Sequence, residues 1–183
     1  IIENKSNKYL KECVLTDMKV TENYILVPSD KDENISLNVY SINGLLKRNI
    51  SIPNKDITDA YGIDQKTGDV YFQVASPTPK DRQVYVSRAN GKLECLTPEA
   101  GTASAQFSEG FKYFLKTWST ADTPYKYSVC NAQGKDINVM EDNSKLQSKL
   151  RDYPVTKKEF FKFKTSEGVE LEGWMIKPAD FDA

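Results

Sequence analysis

The sequence contains no histidine. A Ser-His-Asp triad needs an imidazole that takes the serine proton near neutral pH, so none can assemble from this chain alone. A G-x-S-x-G segment, the strained strand-to-helix turn that carries a nucleophilic serine, is also missing. Cysteine is scarce. Cys13, Cys95 and Cys130 are odd in number, far apart, and form no C-x-x-C pair. With no histidine and no clustered thiols a zinc site is not expected. The cysteines read as small strand or core residues, with a single disulfide as the alternative in an oxidising compartment. Neither charge is in excess: 25 basic and 26 acidic residues leave a net charge of -1. No basic stripe exists to neutralise phosphates, which argues against a nucleic-acid partner. The densest basic runs, Lys47-Arg48 and Lys157-Lys158, are short pairs of the kind found on solvated faces. No apolar run approaches the roughly 18–20 residues of a membrane span. No signal-peptide pattern opens the sequence; in a chain that starts at Ile1, this leaves the parent's compartment open. No phosphate-cradling or dinucleotide-binding glycine motif occurs. Asp30-x-Asp32-x-Asn34 resembles the start of a calcium loop but has Ile35 where the sharp turn needs glycine and Ser41 where a bidentate glutamate is needed. No catalytic, substrate-binding or metal-binding residue is therefore assigned, and no cofactor is expected.

What the sequence does have is a threefold repeat of strand-like runs. Asn23–Val27, Asp69–Val74 and Lys112–Trp118 are each followed by a strand in which Tyr and Val or Ile recur: Leu37–Ile42, Gln83–Ser87 and Tyr125–Val129. Each of these closes on a polar-Gly pair, Asn43-Gly44, Asn90-Gly91 and Gln133-Gly134. A last run leaves each turn, at 46–52, 93–97 and 136–140. Four strands in a period of about 45 residues is the signature of β-propeller blades. The Tyr and Phe rows read as packing between blades rather than as a ligand platform. Three blades cannot close a ring, and stacked repeats need neighbours to bury their faces. The chain is thus expected to be part of a larger protein.

After Met140 the pattern changes. Glu141-Asp142-Asn143-Ser144 precedes a run with Leu146 and Leu150 four apart and basic residues near its end, which predicts one short amphipathic helix. Asp142, Asn143 or Ser144 can supply its N-cap oxygen, and Pro154 helps to end it. Phe160–Thr165, a Ser166-Glu167-Gly168 turn and Val169–Ile176 predict a hairpin.

Several of these segments together resemble one family. The stretch from Phe163 to Pro178, including Glu172-Gly173-Trp174-Met175-Ile176-Lys177-Pro178, is similar to the segment of dipeptidyl peptidase IV-like serine peptidases that enters the α/β-hydrolase domain from the propeller. These peptidases belong to the prolyl oligopeptidase superfamily, and the bacterial branch is the nearest likeness. Tyr61-Gly62-Ile63-Asp64 with Lys66–Gln73 resembles a late blade. Leu96-Thr97-Pro98 with Gly101-Thr102 and Ser104–Ser108 resembles the boundary into the final blade. Glu141-Asp142-Asn143 with Leu146 resembles the link between the two domains. The likeness holds from about 60 to 183 and is poor before Asn54. The sequence departs from the pattern at Ala103, where the family usually has histidine. It departs also in the stretch Ser29–Ser36 and near Asp56-Ile57-Thr58, where a tryptophan is missing.

The resemblance implies an exported parent, periplasmic or at the cell surface, that removes X-Pro or X-Ala dipeptides from N-termini, with peptide as substrate. Its triad and its substrate-gripping glutamates would lie outside this chain. The expected fold is all-β: three four-stranded antiparallel propeller blades of an incomplete propeller, one short helix and a C-terminal hairpin. The expected units are blades over 1–140 (about 1–54, 55–101 and 102–140), a connecting helix and linker over 141–158, and the first hairpin of a truncated hydrolase domain over 159–183. Its partners would be the rest of the propeller and the hydrolase domain, and self-association through open blade faces is expected of the isolated chain. The alternative is a non-enzymatic propeller used for binding or scaffolding, or a pseudoenzyme fragment.

Overall fold

The computed structural model describes residues 18–31, 33–153, 155–178 and 180–181. Cys13, Asp32, Pro154 and the start of the first expected blade lie outside the described residues. Three four-stranded antiparallel sheets follow one another along the chain, each with its strands in sequence order. The first holds β1 (Lys19–Val20), β2 (Tyr24–Ser29), β3 (Ser36–Ser41) and β4 (Leu46–Ile50). The second holds β5 (Ile57–Ile63), β6 (Val70–Val74), β7 (Gln83–Ser87) and β8 (Leu93–Cys95). The third holds β9 (Thr102–Phe107), β10 (Tyr113–Ser119), β11 (Lys126–Asn131) and β12 (Asp136–Glu141). Helix α1 (Ser144–Leu150) and the hairpin β13 (Glu159–Lys164) and β14 (Glu170–Met175) complete the described chain.

The three polar-Gly pairs build the same turn. In each, the glycine N–H donates to the carbonyl three residues back: Gly44 to Ser41 (2.8 Å), Gly91 to Arg88 (2.8 Å) and Gly134 to Asn131 (2.9 Å). Their φ values of 83°, 87° and 83° lie in the left-handed region that glycine enters without penalty. Gly134 meets a second demand. A Cβ there would stand 2.1 Å from the Leu96 carbonyl oxygen of the preceding sheet, so only glycine lets the turn approach that closely.

Alternation of side chains explains the burial. From β6, Val70, Phe72 and Val74 join Leu26, Leu37, Val39 and Ile50 of the first sheet in one core. Tyr71, from the opposite face, joins Val84, Val86, Leu96 and, from the third sheet, Ala103, Ala105, Phe114 and Cys130 in a second core. The middle sheet is thus covered on both faces, and β6 reads as an unbroken apolar run apart from Gln73. Gln73 donates across the interface to the Ala103 carbonyl at 2.7 Å. Ala103, where the resembled family carries histidine, is fully buried there. The aromatic rows do pack between blades: Tyr71 stacks on Phe111 (4.6 Å, 8°) and tilts against Phe107 (4.7 Å).

Register refines the equivalence of the repeats. Phe72 pairs with Tyr85, three residues before the turn that starts at Arg88. Three residues before the turn at Asn131 stands Ser128, and its partner is Lys116. Lys116, not Phe114, therefore occupies the place of Phe72; Phe114 corresponds to Val70. The matching aromatic pairs Tyr71-Phe72 and Tyr113-Phe114 are offset by two positions.

At α1, Asn143 is the N-cap residue but does not cap with its side chain. Its φ is 53°, and its amide reaches back to the Tyr125 carbonyl at 2.5 Å. The Asp142 carboxylate accepts from the Ser144 N–H instead, at 2.9 Å.

Candidate interaction surfaces

Among the described residues, no group of three or more His, Cys, Asp or Glu is arranged to hold a metal ion. Also among them, no helix is long and apolar enough to cross a membrane. Cys95 is half-buried, Cys130 is fully buried, and both are free thiols. Of the acidic turn at 30–36, Asn34 and the Ile35 N–H both donate to the Asp56 carboxylate, at 3.3 and 2.8 Å. The second blade's first strand is thereby tied to the first blade.

Two charged clusters join neighbouring sheets. Arg48 of β4 donates to the Arg88 carbonyl (2.6 Å) and the Gly68 carbonyl (2.5 Å). The Arg88 guanidinium pairs with Asp69 (3.0 Å) and Glu94 (2.5 Å), which hold it charged against the desolvation it suffers. The second cluster surrounds Lys116, whose side chain is only 8% exposed. Its ammonium meets Asp136 at 2.9 Å and Glu99, from the preceding blade's exit, at 3.2 Å. Burial opposes the lysine charge, but the two carboxylates outweigh it and its pKa lies above the usual value. The Cys130 thiol donates to the same Asp136 oxygen at 3.0 Å. Burial pushes that thiol up to about 12, reinforced by the carboxylate. Asp136 sits below the ordinary carboxylate range: burial works against ionisation, and the bonds from Cys130 and Lys116 overcome it. Both clusters tie blades together. Their polar atoms are paired with one another rather than turned toward an open pocket, and a thiol held neutral is a poor nucleophile.

The exposed apolar surface lies elsewhere. By alternation, Ile25, Val27 and Tyr40 form the face of the first sheet turned away from the second. Tyr113, Leu115, Tyr127 and Val129 form the corresponding face of the third sheet. Tyr113 is half exposed, and outer-strand residues Ile137, Val139 and Met140 are more so. These faces are the equivalents of ones that are buried in the middle sheet.

The two ends of the blades differ. The turns between first and second strands, at 21–23, 64–69 and 108–112, gather at one end, where Asn23 bonds Gln65 at 3.0 Å. The loops between second and third strands, with the links from one blade to the next, gather at the other: Lys55 bonds Ser76, and the Arg82 N–H bonds the Gly101 carbonyl. Helix α1 and the hairpin both meet this second end. A groove of about 770 Å³ separates loop 119–125 from Leu150, Tyr153 and Val155. Lys80, in the 75–82 loop, reaches Glu172 of β14 at 3.7 Å. On the hairpin, Phe160, Phe163, Leu171, Trp174 and Ile176 are all at least 42% exposed.

Residues 1–125 match the family described as the dipeptidyl peptidase IV (DPP IV) N-terminal region. Among curated relatives, the dipeptidyl peptidase 4 of Arthroderma otae is 27% identical over 166 residues, 87% of this chain and 21% of the relative. A probable dipeptidyl-aminopeptidase B of Ajellomyces capsulatus is 27% identical over 135 residues, 71% of this chain and 15% of the relative. The crystal structure of Porphyromonas gingivalis dipeptidyl peptidase 4 superposes with a TM-score of 0.88 at 34% identity, over 97% of this chain and 25% of that one. A putative dipeptidyl aminopeptidase IV from Bacteroides ovatus superposes with a TM-score of 0.67 at 16% identity, a likeness of fold. The chain spans about a fifth of the first curated relative and a quarter of each solved chain.

Proposed function

This chain belongs to the dipeptidyl peptidase IV N-terminal region family, and from that premise we propose that it is a non-catalytic piece of the propeller wall of a serine dipeptidyl peptidase. In this reading residues 1–140 are three blades, 141–158 the connecting helix and linker, and 159–183 the first hairpin of the hydrolase domain. The parent protein removes X-Pro or X-Ala dipeptides from peptide N-termini and works outside the cytoplasm, in the periplasm or at the cell surface. The nucleophile, its base and the groups that grip the substrate's amino terminus come from outside these residues.

One observation carries the reading. The helix and the hairpin both contact the same end of the blades, through Asn143 on Tyr125 and Lys80 on Glu172. A chain that leaves its last blade and returns across that end is positioned to start a domain seated over it. The open face of the third sheet fits a further blade in the parent and self-association when the chain is alone.

The test is hydrolysis of a chromogenic Gly-Pro substrate together with fluorophosphonate labelling. The parent is expected to show both and the isolated chain neither. A parent that folds yet shows neither would favour the scaffold or pseudoenzyme reading, and stoichiometric labelling of this chain would overturn the proposal. Cell fractionation of the parent tests the export.

A further inference from the structure

Among the described residues, three that are not glycine have a left-handed backbone: Asn54, Asn143 and Phe111. Asparagine tolerates that region, whereas a bulky aromatic residue is strained in it. Phe111, at φ 53°, sits in the turn between β9 and β10, and its neighbour Gly110 is left-handed too, at 71°. A slot on the second blade holds the strained residue. Gly62 of β5 pairs with Tyr71 of β6 and, having no side chain, leaves room beside it. The Phe111 ring fills that room. It lies parallel to Tyr71 (4.6 Å, 8°) and meets Phe107 at 5.3 Å. Its tip points at Gly62, where a Cβ would stand 2.9 Å from Cζ.

Two features set this contact apart from ordinary core packing. The first is the turn. Ser108, Glu109 and Gly110 are exposed, and nothing lies within 4 Å of a Cβ at Gly110. The Phe111 N–H is bonded within the turn, to the Ser108 carbonyl at 3.0 Å. The bonds that close the base of the turn are Ser108 N–H to the Tyr113 carbonyl at 2.9 Å and Tyr113 N–H to Ser108 Oγ at 3.2 Å. They need not break for the ring to leave. The second feature is a cavity of about 1050 Å³ with Tyr61, Phe107 and Phe111 in its wall. Asn23, Lys66 and Gln106 line it too, and bring donors and acceptors of the kind a peptide backbone uses. It lies at the end of the blades away from the helix and the hairpin.

We propose that the slot is a receptor for one aromatic side chain of a bound peptide, occupied in this structure by Phe111, and that the 108–112 turn is its lid. The chain's own ring shows what fits: a planar apolar group that stacks on Tyr71 with its tip over a glycine. Leaving the slot relieves the left-handed strain of Phe111. The plug is therefore a weaker occupant than its contacts alone would make it, and a ring that arrives without strain can displace it. Naming a peptide rests on the proposed function; the slot and its lid do not.

The experiment uses the intact chain with N-acetylphenylalanine amide as the probe and its leucine counterpart as the control. Phenylalanine rings are isotope-labelled and read by nuclear magnetic resonance, and the Phe111 signal is assigned by its loss in Phe111→Leu. In the wild type the probe is expected to move that signal saturably from its stacked value to a solvent-exposed one, and the leucine amide to leave it unmoved. Phe111→Ala, which has no plug to displace, should bind the probe about tenfold more tightly. No displacement of Phe111 in the wild type overturns the proposal even if Phe111→Ala binds, because that site would be a cavity made by the substitution. Equal affinity in the wild type and Phe111→Ala overturns it as well, since the probe would then sit elsewhere. So does displacement by the leucine amide as strong as by the probe. Should Phe111→Ala not fold, the wild-type displacement decides alone. The blocked amino terminus of the probe makes it no substrate for dipeptide removal, so this outcome and that of the peptidase reading are independent.

Discussion

Lys116 fills a core position with a charged side chain, and replacing it separates what its stem does from what its charge does. Lys116→Ala removes three methylenes from a side chain that is 8% exposed. At about 0.8 kcal/mol for each buried methylene this amounts to roughly 2.4 kcal/mol. The partners, Asp136 and Glu99, are 43% and 49% exposed. They can rehydrate when the ammonium leaves, so the lost pairing adds no more than about 0.5–1 kcal/mol. The expected loss is about 3 kcal/mol in all. Lys116→Met keeps most of the volume and is asked to do what Phe72 does in the middle blade, so its cost should stay within about 1 kcal/mol. Urea unfolding followed by tyrosine and tryptophan fluorescence reads both as shifts in midpoint at constant slope. A Met variant that loses as much as the Ala variant would refute the claim that the stem fills an inter-blade core, and an Ala variant with an unmoved midpoint would refute the register that puts Lys116 there.

Gly134→Ala should destabilise by more than about 2 kcal/mol, because it adds a backbone collision at 2.1 Å to the left-handed strain. Gly91→Ala, with nothing within 4 Å of its new Cβ, should lose only the strain, about 1 kcal/mol; equal melting shifts for the two would contradict the close approach to Leu96. Stability should fall in alkali. The folded Cys130 thiol keeps its proton up to about 12, while an unfolded thiol releases it above roughly 8.5, so the folded state binds more protons between those values. Lys116, also raised, adds to the loss at still higher pH. Cys130→Ser should flatten the pH 8.5–12 decline in chemical-denaturation midpoints, and an unchanged slope would count against the buried thiol as its source. At the acid end, Asp136 contributes stability that is lost as pH falls through its depressed folded value, so Asp136→Asn should blunt that limb. The isolated chain should sediment with a concentration-dependent mass that Leu115→Asp with Val129→Asp abolishes; a strict monomer at high concentration would remove the open third-sheet face as the cause.

Most of the fold is written in local pattern. The three glycine turns are legible because a left-handed residue at a hairpin leaves a mark in the sequence, and the strands on either side alternate as the pleat requires. The hairpin at 159–175 is legible for the same reasons. What is not legible depends on partners from another blade. Lys116, flanked by Leu115 and Thr117, looks like a solvent-facing residue. Only register against Ser128 puts it on the face that meets the middle sheet, and only the arrival of Glu99 makes that tolerable. Asn143 has the right chemistry for a cap, but the Tyr125 carbonyl claims its amide. Lys80 sits in a proline-bearing loop that reads as exposed, and its aromatic and acidic partners lie about 80 and 90 residues further along. Nothing local announces any of these contacts. The lack of histidine, by contrast, excludes a Ser-His-Asp triad within this chain without any structure.

In each described sheet the strands pair in chain order, and among the described residues one isolated parallel bridge, Arg82 with Thr102, crosses between sheets. Ring-building contacts of this kind close short loops, which favours fast collapse of each blade. It also sets a schedule during synthesis. When Ile50 has left the ribosome, the first blade holds Leu26, Leu37 and Val39 ready but bare, because Val70, Phe72 and Val74 have yet to emerge. At about 5–20 residues per second the missing strand follows within roughly 1–5 seconds. For that interval the nascent chain carries an adhesive sheet with no mate, and every later blade repeats the exposure one step on. Slow codons read while β6 is still inside the ribosome would lengthen the interval and recruit holding chaperones, whereas slow codons read after Val74 has emerged would find the first interface already shut.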